Sequence, residues 1–357
     1  MINPPPIPTG RILAALAAEY GLPAAQVAFL PLGADVNTAV YRVAAEDGGS
    51  YFLKLRRGPF EEISVTLPYF LKSQGLKAVV APLPTAAGRL WGRLDEYRMI
   101  LSPFIAGQDG YQVALTDEQW PAFGAALKHI HSVRLPPELA GLIPRETFSS
   151  DGRERVRFFQ EQVERTTYAD PVAARLAALM RAQRAEICHV VTRAVQLGAA
   201  LQARDLNFVL CHADLHPGNL LITPGGAFYI VDWDNPILAP QERDLMFIGA
   251  GMGGSWDGER AATLFYQGYG PVQVDWMALA YYRYERIVQD FAAFGEQLLE
   301  SDEGGADREQ SLRYFAGNFL PGREIAAARR ADWEYHRRAE GENTHEKSNF
   351  TDDPRPN

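Results

Sequence analysis

The sequence predicts an α+β fold with two lobes, a small antiparallel β-rich lobe followed by a larger, mainly helical one. Strand patterns are concentrated near the N-terminus, where VAFLPL, AVYRV and YFLKL are separated by the turn-rich segments GADVNT and AEDGGS. Beyond residue 103 the hydrophobic spacing is mainly helical, apart from one hairpin pattern at 219–231. We therefore expect an N-terminal lobe at 1–103, a C-terminal lobe at 104–338 and a disordered polar tail at 339–357.

The individual elements follow from local patterns along the chain. The three N-terminal strand patterns predict an antiparallel meander, and FEEISVTLPYFLKSQG after them predicts a helix that Pro68 kinks or splits. Short strands are expected at 90–94 and 97–102, with a hinge at 102–107 where a strand stops at a proline. Past the hinge, apolar residues at helical spacing predict a helix through Trp120, Phe123, Leu127 and Ile130.

Composition excludes several classes of protein. The chain has 357 residues, of which 47% are hydrophobic and 22% charged, so it is not disordered throughout. Its net charge of -9 disfavours nucleic-acid binding and is compatible with a small cationic partner. The two cysteines, Cys188 and Cys211, fit a reducing compartment. No run of about 20 apolar residues occurs, so we expect a cytoplasmic protein without membrane contact, either a monomer or a homodimer.

Chemically informative residues are concentrated in VLCHADLHPGNLLITPGGAFYIVDWD, at 209–234. Two short strand patterns flank Thr-Pro-Gly-Gly, a strong hairpin signal. If Gly225 and Gly226 are the two turn residues, Asn219 lies opposite Asp232. The hairpin then presents an amide oxygen and a carboxylate at one end, as a hard cation such as Mg²⁺ prefers. Asp214, in the loop that leads into the hairpin, directs a second carboxylate to the same place.

Lys54 supplies a complementary charge. It lies inside the apolar strand pattern YFLKL, where an unpaired ammonium group would be costly to bury. Phosphate oxygens together with a carboxylate from the next helix would satisfy it. Of the two acidic residues just downstream, Glu61 and Glu62, we favour Glu62 as the partner.

These residues resemble the catalytic set of kinases, which has His-x-Asp-x-x-x-x-Asn, a second Asp downstream and a Lys in the third strand. The form HADLHPGN followed by IVDWD is similar to the aminoglycoside phosphotransferase family, which has a kinase-like fold, and the resemblance covers about residues 25–320. GADVN, YFLKL, ERDLMFIG and YYRYERIV are most similar to the members that phosphorylate spectinomycin. The resemblance therefore implies an ATP-dependent (or GTP-dependent) and Mg²⁺-dependent enzyme that phosphorylates a hydroxyl of a small cationic antibiotic.

The resemblance also implies a role for each matching position. Asp214 would accept or orient the proton of the acceptor hydroxyl, and Lys54 would bind the α- and β-phosphates. His212 is grouped with these catalytic residues, with support of the loop by hydrogen bonding as its favoured role. Asn219 and Asp232 would bind Mg²⁺, and Glu62 would pair with Lys54. The loop containing Gly33, Asp35 and Asn37 would contact the triphosphate. Ser102 and Phe104 would contact adenine.

The acceptor site is less specific in the sequence. Four acidic residues are candidates for binding a cationic acceptor, although a solvated acidic face would explain any one of them; they are Asp109, Asp234, Glu242 and Glu285. The chain lacks a full G-x-G-x-x-G, and Asp-Trp-Asp replaces the Asp-Phe-Gly of protein kinases, which disfavours a protein substrate.

Three other functions remain open from the sequence. The acceptor might be another amino-alcohol or sugar, as in kinases for choline, homoserine or methylthioribose. A metal-dependent hydrolase would use His212, Asp214 and His216 as ligands, but zinc sites of that kind need further His or Cys ligands. A nucleotide-binding module without catalysis would need the same fold with degenerate catalytic residues.

Overall fold

The computed structural model describes residues 4–32, 37–250, 256, 258–301 and 306–349. The chain forms two compact units. The first comprises Met1–Arg145, Leu210–Leu238 and Leu264–Gly270, and the second comprises Glu146–Val209, Ala239–Thr263 and Pro271–Asn357. The first unit thus contains the N-terminal strands together with the whole hairpin pattern. The division into lobes after residue 103 stays a prediction.

The N-terminal part of the first unit is an antiparallel sheet with two helices. Its elements are α1 (Thr9–Tyr20), β1 (Ala24–Leu30), β2 (Thr38–Ala45), β3 (Ser50–Arg56), α2 (Ile63–Ser73), β4 (Gly92–Leu94) and β5 (Tyr97–Pro103). The five strands pair in the order β1-β2-β3-β5-β4. The predicted meander of β1, β2 and β3 is confirmed, and α2 continues through Pro68 as one helix.

Alternation along β3 places Lys54 on the face of the sheet opposite the apolar core. Leu53 and Leu55 are fully buried and pack in one cluster with Ile12 and Leu16 of α1. Because successive strand residues point to opposite faces, Lys54 between them projects from the other face. The buried leucines therefore fix the direction of the one cation in the strand pattern YFLKL.

The rest of the chain is mainly helical, with short strands around the hairpin. In chain order the elements are β6 (Gln108–Asp109), α3 (Gln119–Ser132), α4 (Pro137–Ala140), α5 (Asp151–Arg165), α6 (Pro171–Ala182), α7 (Arg184–Gln202), β7 (Val209–Cys211), β8 (Leu220–Ile222), β9 (Phe228–Ile230), β10 (Ile237–Ala239), α8 (Glu242–Leu245), α9 (Glu259–Tyr269), α10 (Trp276–Leu299), α11 (Ala306–Gly317) and α12 (Glu324–Asn349). The helix predicted through Trp120, Phe123, Leu127 and Ile130 is α3, and all four side chains are buried.

The hairpin of β8 and β9 forms with a register one residue away from the predicted one. Leu220 pairs with Ile230 and Ile222 with Phe228, so the loop has three residues between Thr223 and Ala227 instead of two. The Gly226 amide donates to the Thr223 carbonyl oxygen, and Gly226 then takes a left-handed φ of 83°. A turn followed by a left-handed glycine is the usual three-residue hairpin loop, which explains the shift.

The second unit is built around α10. This helix buries Tyr281, Tyr282 and Tyr284 and packs against α5, α7 and α12. The last helix, α12, continues past Arg338 to Asn349, where the sequence predicted a disordered tail, and 350–357 lie outside the described residues. A helix rich in charged residues has little apolar patterning, which is why the sequence did not indicate it. Within the described part of the chain, no helix is long and apolar enough to span a membrane.

Gly268 allows α9 to approach α3 closely within the first unit. A Cβ atom at Gly268 would overlap with the Pro121 carbonyl oxygen. We expect Gly268→Ala to destabilise the protein by about 1–3 kcal/mol, because overpacking outweighs the better helix propensity of alanine. Gly10→Ala in α1 is the matched control, since a Cβ there meets nothing within 4 Å. Denaturant unfolding of both variants checks this, and equal stability of the two would contradict it.

Candidate active site

The loop from β7 to β8 fixes the positions of Asp214 and Asn219. A short 3-10 turn, Pro217–Asn219, ends the loop and is followed directly by β8. The Asn219 side-chain nitrogen, Nδ2, donates to the Asp214 carbonyl oxygen at 2.8 Å and lies 3.5 Å from Asp214 Oδ2. This bond closes the loop and leaves Asn219 Oδ1 as the atom of the side chain that can bind a cation. The predicted proximity of these two residues is present in the structure.

His212 connects the loop to the segment that carries Asp232. Its ring is buried, and Nε2 lies 2.9 Å from the Val231 carbonyl oxygen, so this nitrogen carries the proton. Nδ1 is then an acceptor, and it lies 3.4 Å from the Asp214 amide nitrogen. The ring also meets Trp233 edge-on at 4.6 Å. With both nitrogens engaged, His212 supports the loop by hydrogen bonding, which is its favoured role in the sequence.

Asp232 lies beside Asn219, although the register differs from the predicted one. The Val231 amide donates to the Asn219 carbonyl oxygen at 3.0 Å, so the two side chains still emerge at the same end of the hairpin. Asp232 has a left-handed φ of 63°, and Ala213, next to Asp214, has a φ of 72°. Left-handed backbone is unfavourable for residues other than glycine and is concentrated at functional sites. One strained residue, Asp232, is therefore itself a candidate metal ligand, and the other, Ala213, directly precedes Asp214.

Lys54 meets two carboxylates from the segment after β9. Its Nζ lies 2.7 Å from Asp234 Oδ2 and 3.7 Å from Asp232 Oδ1. Arg56, two residues along β3, donates to the same Asp234 oxygen at 3.0 Å. Lys54 and Asp232 are therefore brought together as predicted, but the nearest carboxylate is Asp234.

The electrostatics at Asp232 favour a bound cation. Loss of hydration in the folded protein raises the pKa of Asp232 above its ordinary value, Lys54 opposes this rise, and the Asp234 carboxylate adds to it. The side chain is nevertheless about half exposed, at 51%, so its oxygens are open to a ligand. The Asp232 carboxylate, with the Asp234 carboxylate beside it, and the side-chain oxygen of Asn219 form a set of hard oxygen donors, which fits Mg²⁺. Asp232 and Asn219 would hold this ion.

The predicted nucleotide-binding residues other than Lys54 have mixed positions. Gly33 and Asp35 lie outside the described residues. Asn37 is exposed just before β2, where its main-chain and side-chain oxygens face Arg57. Glu62 is exposed at the start of α2 and makes no ion pair among the described residues, so the structure gives Lys54 a different partner from the predicted one. The sequence favours Glu62 because it lies close to Lys54 in the chain, whereas a contact with a residue as distant as Asp234 leaves no local signal in the sequence.

The adenine contacts at Ser102 and Phe104 stay a prediction. Ser102 lies in β5 opposite Phe52 of β3. The Phe104 amide donates to the Ser50 carbonyl oxygen at 3.0 Å, so its main-chain donor is used within the fold. The Phe104 ring packs under the Arg42 guanidinium at 4.6 Å. Main-chain recognition of adenine in this segment would therefore use groups other than the Phe104 amide.

Comparison with known proteins identifies the family of this site. Residues 28–282 match the model of the phosphotransferase enzyme family. The chain belongs to this family. A crystal structure of the spectinomycin phosphotransferase APH(9)-Ia in complex with ADP and spectinomycin is 35% identical, with a TM-score of 0.86 over 92% of this chain and 99% of that one. Its AMP-bound complex is 34% identical, with a TM-score of 0.82 over 90% and 98% of the two chains.

A third relative is more distant. Protein StrN of Streptomyces griseus is 27% identical over 234 residues, which cover 60% of this chain and 67% of that protein. The family and the two close structures confirm the kinase-like fold, with an antiparallel sheet in the N-terminal region and a helical C-terminal region. The chain is an ATP-dependent phosphotransferase of the kinase type.

Three of the four acidic residues predicted to bind the acceptor of this phosphotransferase have other partners. Asp109 accepts from the Tyr111 and Gln112 amides at 2.9 and 3.1 Å and so closes a turn. Glu285 is 2% exposed and pairs with Arg153 at 2.8 Å. Glu242 is 3% exposed and accepts from the Asp275 amide at 3.0 Å. Glu242 and Glu285 are therefore buried by the fold and not open to an acceptor, which residue type alone does not reveal. Asp109 is only partly buried, so its contact with the acceptor stays a prediction.

Asp234, the fourth candidate, is paired with Lys54 and Arg56. Arg56 is not among the site residues that the sequence predicts. An available signal was its position two residues after Lys54 in one strand pattern, which places both cations on the same face. His216, for which the sequence favours a structural role or a place at the rim of the pocket, has its Nε2 3.6 Å from Asp214 Oδ2 and its ring stacked on Tyr111.

Burial of Glu242 predicts a pH-dependent effect on stability. Loss of hydration raises the pKa of Glu242 above its ordinary value of 4.5. Between pH 4.5 and the raised pKa, Glu242 keeps its proton in the folded state but loses it in the unfolded state. The free energy of unfolding therefore falls as pH rises through this range. Glutamine cannot ionise, and we expect Glu242→Gln to gain stability relative to the natural protein as pH rises from about 4 to 7. Thermal melts at several pH values check this, and a constant difference would contradict it.

Proposed function

We propose that this phosphotransferase transfers the γ-phosphoryl group of ATP to a hydroxyl of an aminocyclitol antibiotic, with spectinomycin as the first candidate and Mg²⁺ as the metal ion. The observation that carries the proposal is the convergence of Lys54, Asp232, Asn219 and Asp214 in one unit of the chain. The choice of acceptor is supported by 35% identity with spectinomycin phosphotransferase over nearly the whole chain.

Each residue has a role that its contacts support. Asp214 would accept the proton of the acceptor hydroxyl at its carboxylate, which is 35% exposed and therefore reachable. Lys54 would bind phosphate oxygens through Nζ and neutralise their charge. Mg²⁺, held by Asp232 and Asn219, would supply further neutralisation of the phosphates. Phosphoryl transfer needs positioning and charge neutralisation more than covalent help, and this set of residues meets that need.

The acceptor would be a small cation, and nucleic acid and membranes are not partners in this proposal. The negative net charge supports a cationic substrate and disfavours nucleic acid. Both cysteines are free thiols, which together with the use of ATP supports a cytoplasmic location. The proposed mechanism is the same for a monomer and for a homodimer, because all of the proposed catalytic residues belong to one chain. Phosphorylation would add a group with about two negative charges to the antibiotic and so oppose binding to its target.

A metal-dependent hydrolase is disfavoured by the arrangement of its proposed ligands. Within the described ranges His212, Asp214 and His216 do not bring three ligand atoms together into a cluster that could hold a metal ion.

The direct test is an ATP-consumption assay with purified protein and a panel of acceptors. The panel contains spectinomycin, several aminoglycosides, choline, homoserine and methylthioribose, each with and without Mg²⁺. We expect turnover with spectinomycin that depends on Mg²⁺, and growth of a sensitive bacterium on spectinomycin when the protein is expressed. Turnover with choline or a sugar and none with any antibiotic would replace the proposed acceptor. The absence of turnover with every acceptor in the panel would overturn the proposed function.

A further inference from the structure

Lys54 lies in a cluster of charges that is larger than the proposed chemistry requires. Asp234 Oδ2 accepts from Lys54 Nζ at 2.7 Å and from Arg56 Nη1 at 3.0 Å. All three side chains are three-quarters or more buried, with 20%, 23% and 25% exposure for Lys54, Arg56 and Asp234. At such burial an ion pair is fixed in position more firmly than on the surface.

The geometry follows from two short sequence spacings. Lys54 and Arg56 are two residues apart in β3 and therefore lie on the same face. Asp232 and Asp234 are two residues apart in the segment after β9, and both lie within 4 Å of Lys54. One cation pair thus meets one carboxylate pair, and Asp234 is the carboxylate that both cations share.

We propose that Asp234 and Arg56 are positioning residues for Lys54. Asp234 holds the Lys54 ammonium in place, which is the role that the sequence assigned to Glu62. Arg56 binds Asp234 and thereby offsets its charge, so that Lys54 keeps an excess positive charge for phosphate. This inference rests on the proposed role of Lys54 in binding the nucleotide, and it replaces the earlier expectation that Asp234 binds the acceptor.

The charge balance explains why two cations are needed. With Asp234 alone, Lys54 would form a neutral pair and attract phosphate weakly. Arg56 makes the group of Lys54, Asp234 and Arg56 net positive while Asp234 still fixes the position of the ammonium group. The charge of the second carboxylate, Asp232, would be offset by the Mg²⁺ that it is proposed to hold. Arg56 Nε is buried and has no hydrogen-bond partner among the described residues, so the Asp234 contact is what orients this guanidinium.

Arg56→Gln tests the charge-offset part of the proposal. We expect ADP to bind about tenfold more weakly by titration calorimetry, the size of one charge-assisted contact. In an Asp234→Asn background the same substitution is expected to change ADP affinity by less than about twofold, because Arg56 then has no carboxylate to offset. Equal losses in both backgrounds would show that Arg56 acts independently of Asp234 and would overturn the proposal, as would no loss in either.

Asp234→Asn tests the positioning part. We expect kcat to fall by about tenfold while ADP affinity is not weakened, because the ammonium loses its anchor but no phosphate contact is removed. Asp234→Glu is expected to restore part of the lost kcat. A fall in ADP affinity and in melting temperature with unchanged kcat would show a merely structural role and overturn this part.

Arg93→Gln is the matched control for loss of charge. Arg93 is exposed in β4 of the same sheet and is expected to leave ADP affinity unchanged. ADP titration needs no acceptor, so the charge-offset part of the inference is tested even if spectinomycin is not the substrate, and kcat is measured with the acceptor that the panel identifies. Failure to phosphorylate any antibiotic would therefore count against the proposed function alone, while an unchanged ADP affinity in Arg56→Gln would count against this inference alone.

Discussion

Asp214→Asn is expected to lower kcat by about 10²- to 10⁴-fold, the usual contribution of a positioned general base. Asparagine has nearly the same shape, and Asn219 contacts the Asp214 carbonyl oxygen, so the loop should keep its structure. ADP affinity is therefore expected to stay unchanged. Steady-state kinetics with the acceptor identified by the panel, together with ADP titration, measure both quantities.

The control for Asp214→Asn is the same chemical change outside the site. Asp47 is exposed in the turn between β2 and β3, where its carboxylate accepts from the Gly49 amide. Asp47→Asn should keep full turnover. If Asp214→Asn also kept full turnover, Asp214 would not be the base and the proposed mechanism would be wrong.

Asp232→Asn is expected to lower kcat by at least about 10²-fold, because charge stabilisation by a metal ion is worth several kcal/mol. Asparagine tolerates the left-handed φ of 63° at this position better than alanine does, so the substitution removes a charge without adding backbone strain. The specific signature is the metal dependence of ADP binding. We expect Mg²⁺ to strengthen ADP binding to the natural protein and to have little effect on the variant.

Asp95→Asn is the matched control for Asp232→Asn. Asp95 also has a left-handed φ, at 54°, but it lies between β4 and β5, where it pairs with Arg11. This variant should retain both turnover and the Mg²⁺ effect. An Asp232→Asn protein whose ADP binding still responded fully to Mg²⁺ would show that Asp232 is not the metal ligand.

The parts of the site that the sequence predicted are local in the chain. Asp214, Asn219 and Asp232 lie within one short block, where a loop, a 3-10 turn and a hairpin fix their separation. The strand alternation that buries Leu53 and Leu55 likewise places Lys54 on the face opposite the apolar core. Patterns of this kind need no knowledge of distant contacts, and they survived the one-residue error in hairpin register.

The parts that the sequence did not predict depend on distant contacts or on burial. Lys54 and Asp234 are 180 positions apart, so no local pattern could pair them, and the nearby Glu62 was favoured instead. The sequence predicts that Glu242 and Glu285 bind the acceptor, yet both are buried and have partners within the second unit. Residue type alone does not reveal whether a carboxylate faces water or a buried partner.

The central claim is that Lys54, Asp214, Asn219 and Asp232 form one site for phosphoryl transfer to an antibiotic hydroxyl. Mass spectrometry of spectinomycin after incubation with ATP, Mg²⁺ and the purified protein tests this claim most directly. The proposed function predicts that the antibiotic gains the mass of one phosphoryl group with the natural protein and almost none with Asp214→Asn. Unmodified spectinomycin with the natural protein, or equal phosphorylation by both proteins, would contradict it.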